Sequence, residues 1–225
     1  MKKTLLAGLA VGIMVFGVAG VSSATSITYG GTPTIDGIET SSIAGAQVET
    51  FNIVLGQIGV SLAGTMDQSW AWTGSGTVEA GSISGESAAP AGDISNFLSV
   101  PNPASSGNLT ADLGAGLYDY LGLFWGSVDA YNTITFFNNG TQTQSYTGQD
   151  VLNPNSANGN QTAPSTNLYV NFLGLDPFNS FTMTSTKFAF EVDNVAVKPV
   201  PEPATMLLLG TGLAGLAGVR RKKKA

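Results

Sequence analysis

The sequence contains neither cysteine nor histidine. Without thiols there is no disulfide scaffold and no thiol chemistry. Without imidazole, Ser-His-Asp and Cys-His nucleophilic machinery, histidine acid–base catalysis and the usual zinc sites are excluded together. Cations are scarce away from the two ends. Of nine Lys and Arg, Lys2 and Lys3 sit at the start and Arg220, Arg221, Lys222, Lys223 and Lys224 at the finish, which leaves Lys187 and Lys198. Of fifteen acidic residues only Glu202 falls outside residues 25–199, so that stretch carries a net charge near −12. Phosphate binding needs clustered Lys and Arg, which excludes nucleic acid as a partner. An anionic polysaccharide would be repelled unless divalent cations bridged it.

Long helical periodicity is also missing. What is there instead is short runs of β-branched and aromatic residues separated by Gly, Ser, Thr and Asn. This pattern predicts an all-β fold, an antiparallel, jelly-roll-like β-sandwich. Residues 47–60 supply one or two strands, residues 76–84 another with Val78 and Ile83, and residues 88–106, with Pro90, Pro101 and Pro103, read mostly as loop. Leu121, Leu123 and Trp125 alternate in a largely buried strand. Residues 133–137 and 141–147 flank Asn138-Asn139-Gly140, a hairpin signal because Asn and Gly accept positive φ. Leu168, Val170 and Phe172 point opposite to Tyr169 and Asn171, and Phe181 and Met183 alternate with threonines. Phe188, Phe190 and Val192 share one parity while Val195 and Val197 take the other, which predicts a bulge at Asp193-Asn194.

The two ends read as addresses. Lys2 and Lys3 precede an apolar run from Leu5 to Val21, followed by Ser22-Ser23-Ala24. That is a signal peptide over residues 1–24, cleaved by signal peptidase after Ala24. At the other end Val200, Pro201, Glu202, Pro203, Ala204 and Thr205 form an extended, proline-held segment suited to a protease cleft. The apolar residues 204–219 follow as a transmembrane segment, short against the roughly 20 residues of a typical span. Arg220 to Lys224 then act as the stop that stays cytoplasmic. Residues 25–199 form the extracellular domain between them.

Residues 200–224 resemble, part by part and in order, the PEP-CTERM sorting signal of bacterial exosortase substrates, a tail also called the ice-binding protein C-terminal domain. The resemblance implies export, processing by an exosortase near Pro201–Pro203, transient membrane anchoring, and delivery to the cell surface or exopolysaccharide matrix. Residues 116–133 are similar to the YWGSxDxYNT core of a group of PEP-CTERM surface proteins, with Phe124 where tyrosine is usual. That resemblance implies no enzymatic activity.

Trp125, Asp129, Tyr131 and Asn132 form the densest polar-aromatic constellation. They read either as a glycan-binding surface or as a core tryptophan followed by an Asx-type turn. Glu191, Asp193 and Asn194, with Asp36 or Glu49, offer oxygens for a calcium site, against a reading in which Asp193 caps turn amides. No other cofactor is expected. Fourteen carboxylates would supply a glycosidase pair, yet no motif singles one out. Threonines at 133 and 135, 141 and 143, and 182, 184 and 186 share strand faces, but without a repeat they suggest solvated faces rather than an ice-ordering array. The leading expectation is a non-catalytic surface or matrix protein, and the alternative is a carbohydrate-binding module.

Overall fold

The computed structural model describes residues 24–52, 68–152 and 157–200, together with Gly212. The predicted signal run 1–23, the second half of the 47–60 strand region and the sorting tail beyond Val200 lie outside the described residues.

Two antiparallel sheets face each other. The larger contains β1 (Ser26–Tyr29), β4 (Gln47–Glu49), β6 (Thr77–Glu79), β7 (Phe97–Val100), β9 (Tyr118–Gly126), β12 (Leu168–Phe178) and β14 (Phe190–Pro199). Its order is β1-β12-β9-β14-β7-β6, with β4 also paired to β14. The smaller contains β5 (Ala71–Gly74), β8 (Gly107–Asp112), β10 (Asn132–Asn138), β11 (Thr141–Thr147) and β13 (Ser180–Ser185), ordered β11-β10-β13-β8-β5. A separate hairpin pairs β2 (Thr32–Pro33) with β3 (Glu39–Thr40), and α1 (Gly148–Val151) is a single turn capped by Thr147 and Asp150. The chain is an antiparallel β-sandwich.

The alternation read from the sequence supplies the core. Leu121, Leu123, Trp125, Val170, Phe172, Phe190 and Val192 from the larger sheet pack against Ile134, Phe136, Phe181, Met183 and Leu109 from the smaller. Each large side chain so buried contributes roughly 1.5–3 kcal/mol. The opposite face of the larger sheet is covered as well, because the β2–β3 hairpin lays Ile38 on Phe124 and Tyr169. Double coverage explains why nearly all of β9 is buried. Gly122 makes this possible, since a Cβ there would lie 2.1 Å from the Tyr120 hydroxyl and 2.7 Å from that of Tyr169.

The hairpin forms where expected, with Asn139 at φ 48° and Gly140 at φ 78°. The parity break also appears. The β14 register shifts between Asp193 and Ala196, Asn194 takes φ 47°, and Val192 and Val195 both reach the core. One edge of β14 pairs with β7 before the break and with β4 after it. The loop expected over 88–106 is corrected at residues 97–100, which form a fully buried strand. Pro90 and Pro101 flank that strand and do not interrupt its ladder.

Candidate functional site

Strands β9 and β14 run antiparallel, so the end of one meets the start of the other, and Gly126 lies opposite Glu191. Beyond that row the chain turns sharply. Ser127 sits at φ 43°, its amide donating to Asn167 Oδ1 (2.9 Å). Val128 N–H donates to the Thr166 carbonyl (2.7 Å), and Gly159 N–H donates to the Val128 carbonyl (3.1 Å). These bonds hold the 127–131 turn against the 157–167 segment and open a pocket of about 530 Å³. The 82–88 loop forms its other wall, closed on itself by the Ile83–Ser87 bridge.

Of the four residues expected on a glycan surface, the structure separates two pairs. Trp125 is fully buried, stacked on Phe190 at 4.3 Å between ring centroids, and its ring has no face available to a sugar. Asn132 is equally buried, donating to the Ala189 carbonyl (3.2 Å) and accepting from Ser185 Oγ (2.6 Å). Asp129 and Tyr131, by contrast, line the pocket. The Tyr131 hydroxyl reaches the Phe188 carbonyl at 3.1 Å and interacts with the Asp129 carboxylate. Burial, with Asp129 adjacent, pushes that phenol up. Burial also raises Asp129, while Tyr131 and the positive charge of Lys187 pull it back. Lys187 itself lies over the Tyr131 ring, 5.3 Å from its centroid. Gly159 is required here, because a Cβ would fall 2.1 Å from Asp129 Oδ1.

Glu191, expected in a calcium set, lines the same pocket. It is 3% exposed, and its two oxygens accept from Ala88 N–H (2.9 Å) and Ser127 Oγ (3.3 Å). Burial raises its pKa to about 7, with the charge of Asp129 adding to the shift. The remaining calcium candidates belong to other bond sets. Asp193 accepts from Asn194 N–H (2.6 Å) and Ser95 Oγ (3.1 Å), and Ser95 Oγ also lies 2.6 Å from Asp93 Oδ1. Burial first, then Asp93, raises Asp193 to about 9, and Asp36 contributes less. Asn194 donates to the Glu39 carbonyl (3.0 Å), and Glu49 accepts from Phe51 and Gln68 amides (3.1 and 2.9 Å). Among the described residues no three carboxylates are grouped to hold a metal ion.

The sequence missed the loops. Ser87, Asn158 and Gln161 all line the pocket, and Ser87 is buried with an Oγ that has no hydrogen-bond partner. Their Ser/Gly/Asn-rich surroundings signal turns, not which turns meet.

The threonines fall in register more fully than sequence spacing indicates. Thr133 and Thr135 pair with Thr184 and Thr182, and Thr182 continues to Thr110 and Thr73. Thr110 and Thr182 hydroxyls bond each other (2.8 Å), as do Thr135 and Ser145 (3.0 Å). A strand-to-strand twist of roughly 20–25° curves the row, against the flat array that ice requires.

At the far end of the larger sheet Ser26, Leu173, Tyr120 and Lys198 form one cross-strand row. Ala24 precedes it, exposed, and Val200 follows it, its N–H donating to the Leu117 carbonyl (2.8 Å). The PEP-CTERM protein-sorting motif matches residues 199–222, beginning where β14 ends. The chain carries the PEP-CTERM sorting motif at its C-terminal end. Among curated proteins none matches the chain. Solved structures similar to this chain include CpGH89CBM32-6 produced by Clostridium perfringens, at 13% identity over 44% of this chain and 74% of that one, TM-score 0.30. Another is the CBM32 of AlyQ in complex with 4,5-unsaturated mannuronic acid, at 17% identity over 55% and 92% of the chains, TM-score 0.30. At such scores neither can be read onto this chain. Among the described residues no helix is long and apolar enough to cross a membrane, and the expected 204–219 segment falls outside them, Gly212 apart.

Proposed function

We propose that this is an exported surface protein, anchored transiently by residues 204–219 and trimmed near Pro201–Pro203, whose domain 25–199 binds saccharide without chemical turnover. The sorting motif makes it an exosortase-sorted surface protein. Signal peptidase cleavage after Ala24 would leave Thr25 to open the fold, its Oγ1 already bonded to Gly174 and Gln144. The observation that carries the binding reading is the pocket joining Asp129, Tyr131, Glu191, Asn158 and Gln161, a largely polar lining with two aromatic residues, Tyr131 and Phe188. Glu191 and Asp129 give a glycosidase a carboxyl pair, but both oxygens of Glu191 already hold the 82–88 loop and Ser127.

Sorting is tested by replacing Arg220–Lys224 with neutral residues and fractionating the native host. Loss of trimming and surface delivery is expected, and unchanged placement would end the sorting reading. Binding is tested on a glycan array with the full chain and Tyr131→Ala. Loss of signal with an unchanged melting temperature is expected. An array blank for the unmodified protein would end the binding reading.

A further inference from the structure

The charge of the pocket selects among saccharides. Among the described residues three acidic side chains line it, Glu86 from the loop, Asp129 from the turn and Glu191 from β14, and no Lys or Arg does. The nearby Lys187 is exposed and engaged with the Tyr131 ring. Ser87, 8% exposed on the same lining, presents an Oγ with no partner in the folded chain. The charged groups of the lining are therefore all hydrogen-bond acceptors when ionised.

Resting on the saccharide-binding reading, we propose that this pocket recognises the ammonium group of an amino sugar, with Asp129 and Glu191 as counter-ions, and rejects uronic acids. An ammonium carries three donors and no acceptor. Asp129, the free lone pairs of Glu191 and the orphaned Ser87 Oγ supply the complementary acceptors. An uncharged hydroxyl or acetamide leaves the buried acid Glu191 uncompensated, and a uronate brings a further carboxylate against Glu86, Asp129 and Glu191. Burial raises Glu191 to about 7, so a bound cation favours its ionised form. Asp129, Tyr131, Glu86 and Lys187 are the titratable groups around it. Amino-sugar affinity therefore falls as pH drops through about 7, whereas affinity for a neutral sugar does not fall on that acidification.

Titration calorimetry of the full-length chain with oligomers of glucosamine, N-acetylglucosamine and mannuronate tests this. The glucosamine oligomer is expected to bind about tenfold more tightly than the acetylated one. Asp129→Asn is expected to weaken it about tenfold with the melting temperature held, Glu191→Gln to weaken it about tenfold with the folded circular-dichroism spectrum retained, and the mannuronate oligomer is expected to give no heat. Asp176→Asn, an exposed acid towards the other end of β12, is expected to leave binding unchanged. An equal loss there would mean general attraction of a polycation and overturn the proposal. Equal binding of the free and acetylated oligomers would overturn ammonium recognition and leave the saccharide pocket standing. Binding of mannuronate would overturn the charge selection, and silence from all three would overturn both readings.

Discussion

At the Gly126–Glu191 end of the larger sheet the strands run out into long loops that bend back and enclose acidic side chains. At the Tyr118–Pro199 end the strands of the larger sheet lead almost directly to Ala24 and to Val200, where the sorting motif begins. The ends differ in what their backbones can do. At the Val200 end the chain makes a short, straight exit. At the other end Ser127 at positive φ and Gly159 turn the chain so that Asp129 and Glu191 line the pocket. From Glu191 to Pro199 β14 rises about 26 Å, so the pocket lies at the opposite end of the larger sheet from Val200.

The sharpest way to break this comparison is to remove what both ends share. Trp125→Ala deletes a fully buried ring and is expected to cost about 3–5 kcal/mol by urea denaturation, abolishing binding only through unfolding. Asp129→Asn should do the reverse, leaving the denaturation midpoint in place. Gly122→Ala strikes the middle of the sheet, forcing the Tyr120 and Tyr169 hydroxyls aside, with an expected loss of about 1–3 kcal/mol.

A subtler contrast is pH. Asp193 and Glu191, raised to about 9 and about 7, bind protons more tightly folded than unfolded. The stability they contribute is present in full below the ordinary carboxylate range and is lost as pH rises through about 7 and then about 9. Thermal melts should therefore fall from mildly acid to alkaline buffer. Asp193→Asn keeps an acceptor for the Asn194 amide and should flatten that slope, raising the melting temperature at alkaline pH. The smallest effect is expected on the outer face of the smaller sheet, where Thr182→Val removes one member of a hydroxyl pair at about 0.5 kcal/mol or less.

Much of the sandwich is legible in local pattern. Asn139-Gly140 fixes a register, and the alternation of Leu121, Leu123 and Trp125 fixes a face. β7 is missed because three apolar residues and a serine between prolines resemble loop until β14 pairs with them. The pocket is half legible. Asp129 and Tyr131 stand beside a conspicuous tryptophan, but Ser87 and Gln161 arrive from loops whose meeting is decided by tertiary bonds such as Ala88 N–H to Glu191. Glu191 was noticed as an oxygen donor, and its true neighbours were invisible without the fold.

Asn194 has a further consequence. Deleting it on paper leaves Phe190, Val192, Val195 and Val197 in unbroken alternation, so the apolar interior has no use for the extra residue. Its carbonyl takes the Tyr169 hydroxyl and its amide side chain holds Glu39 of the β2–β3 hairpin. The insertion serves as a rivet between β14 and the β2–β3 hairpin, fastening the cover of the larger sheet's outer face to the strand that ends at the sorting motif.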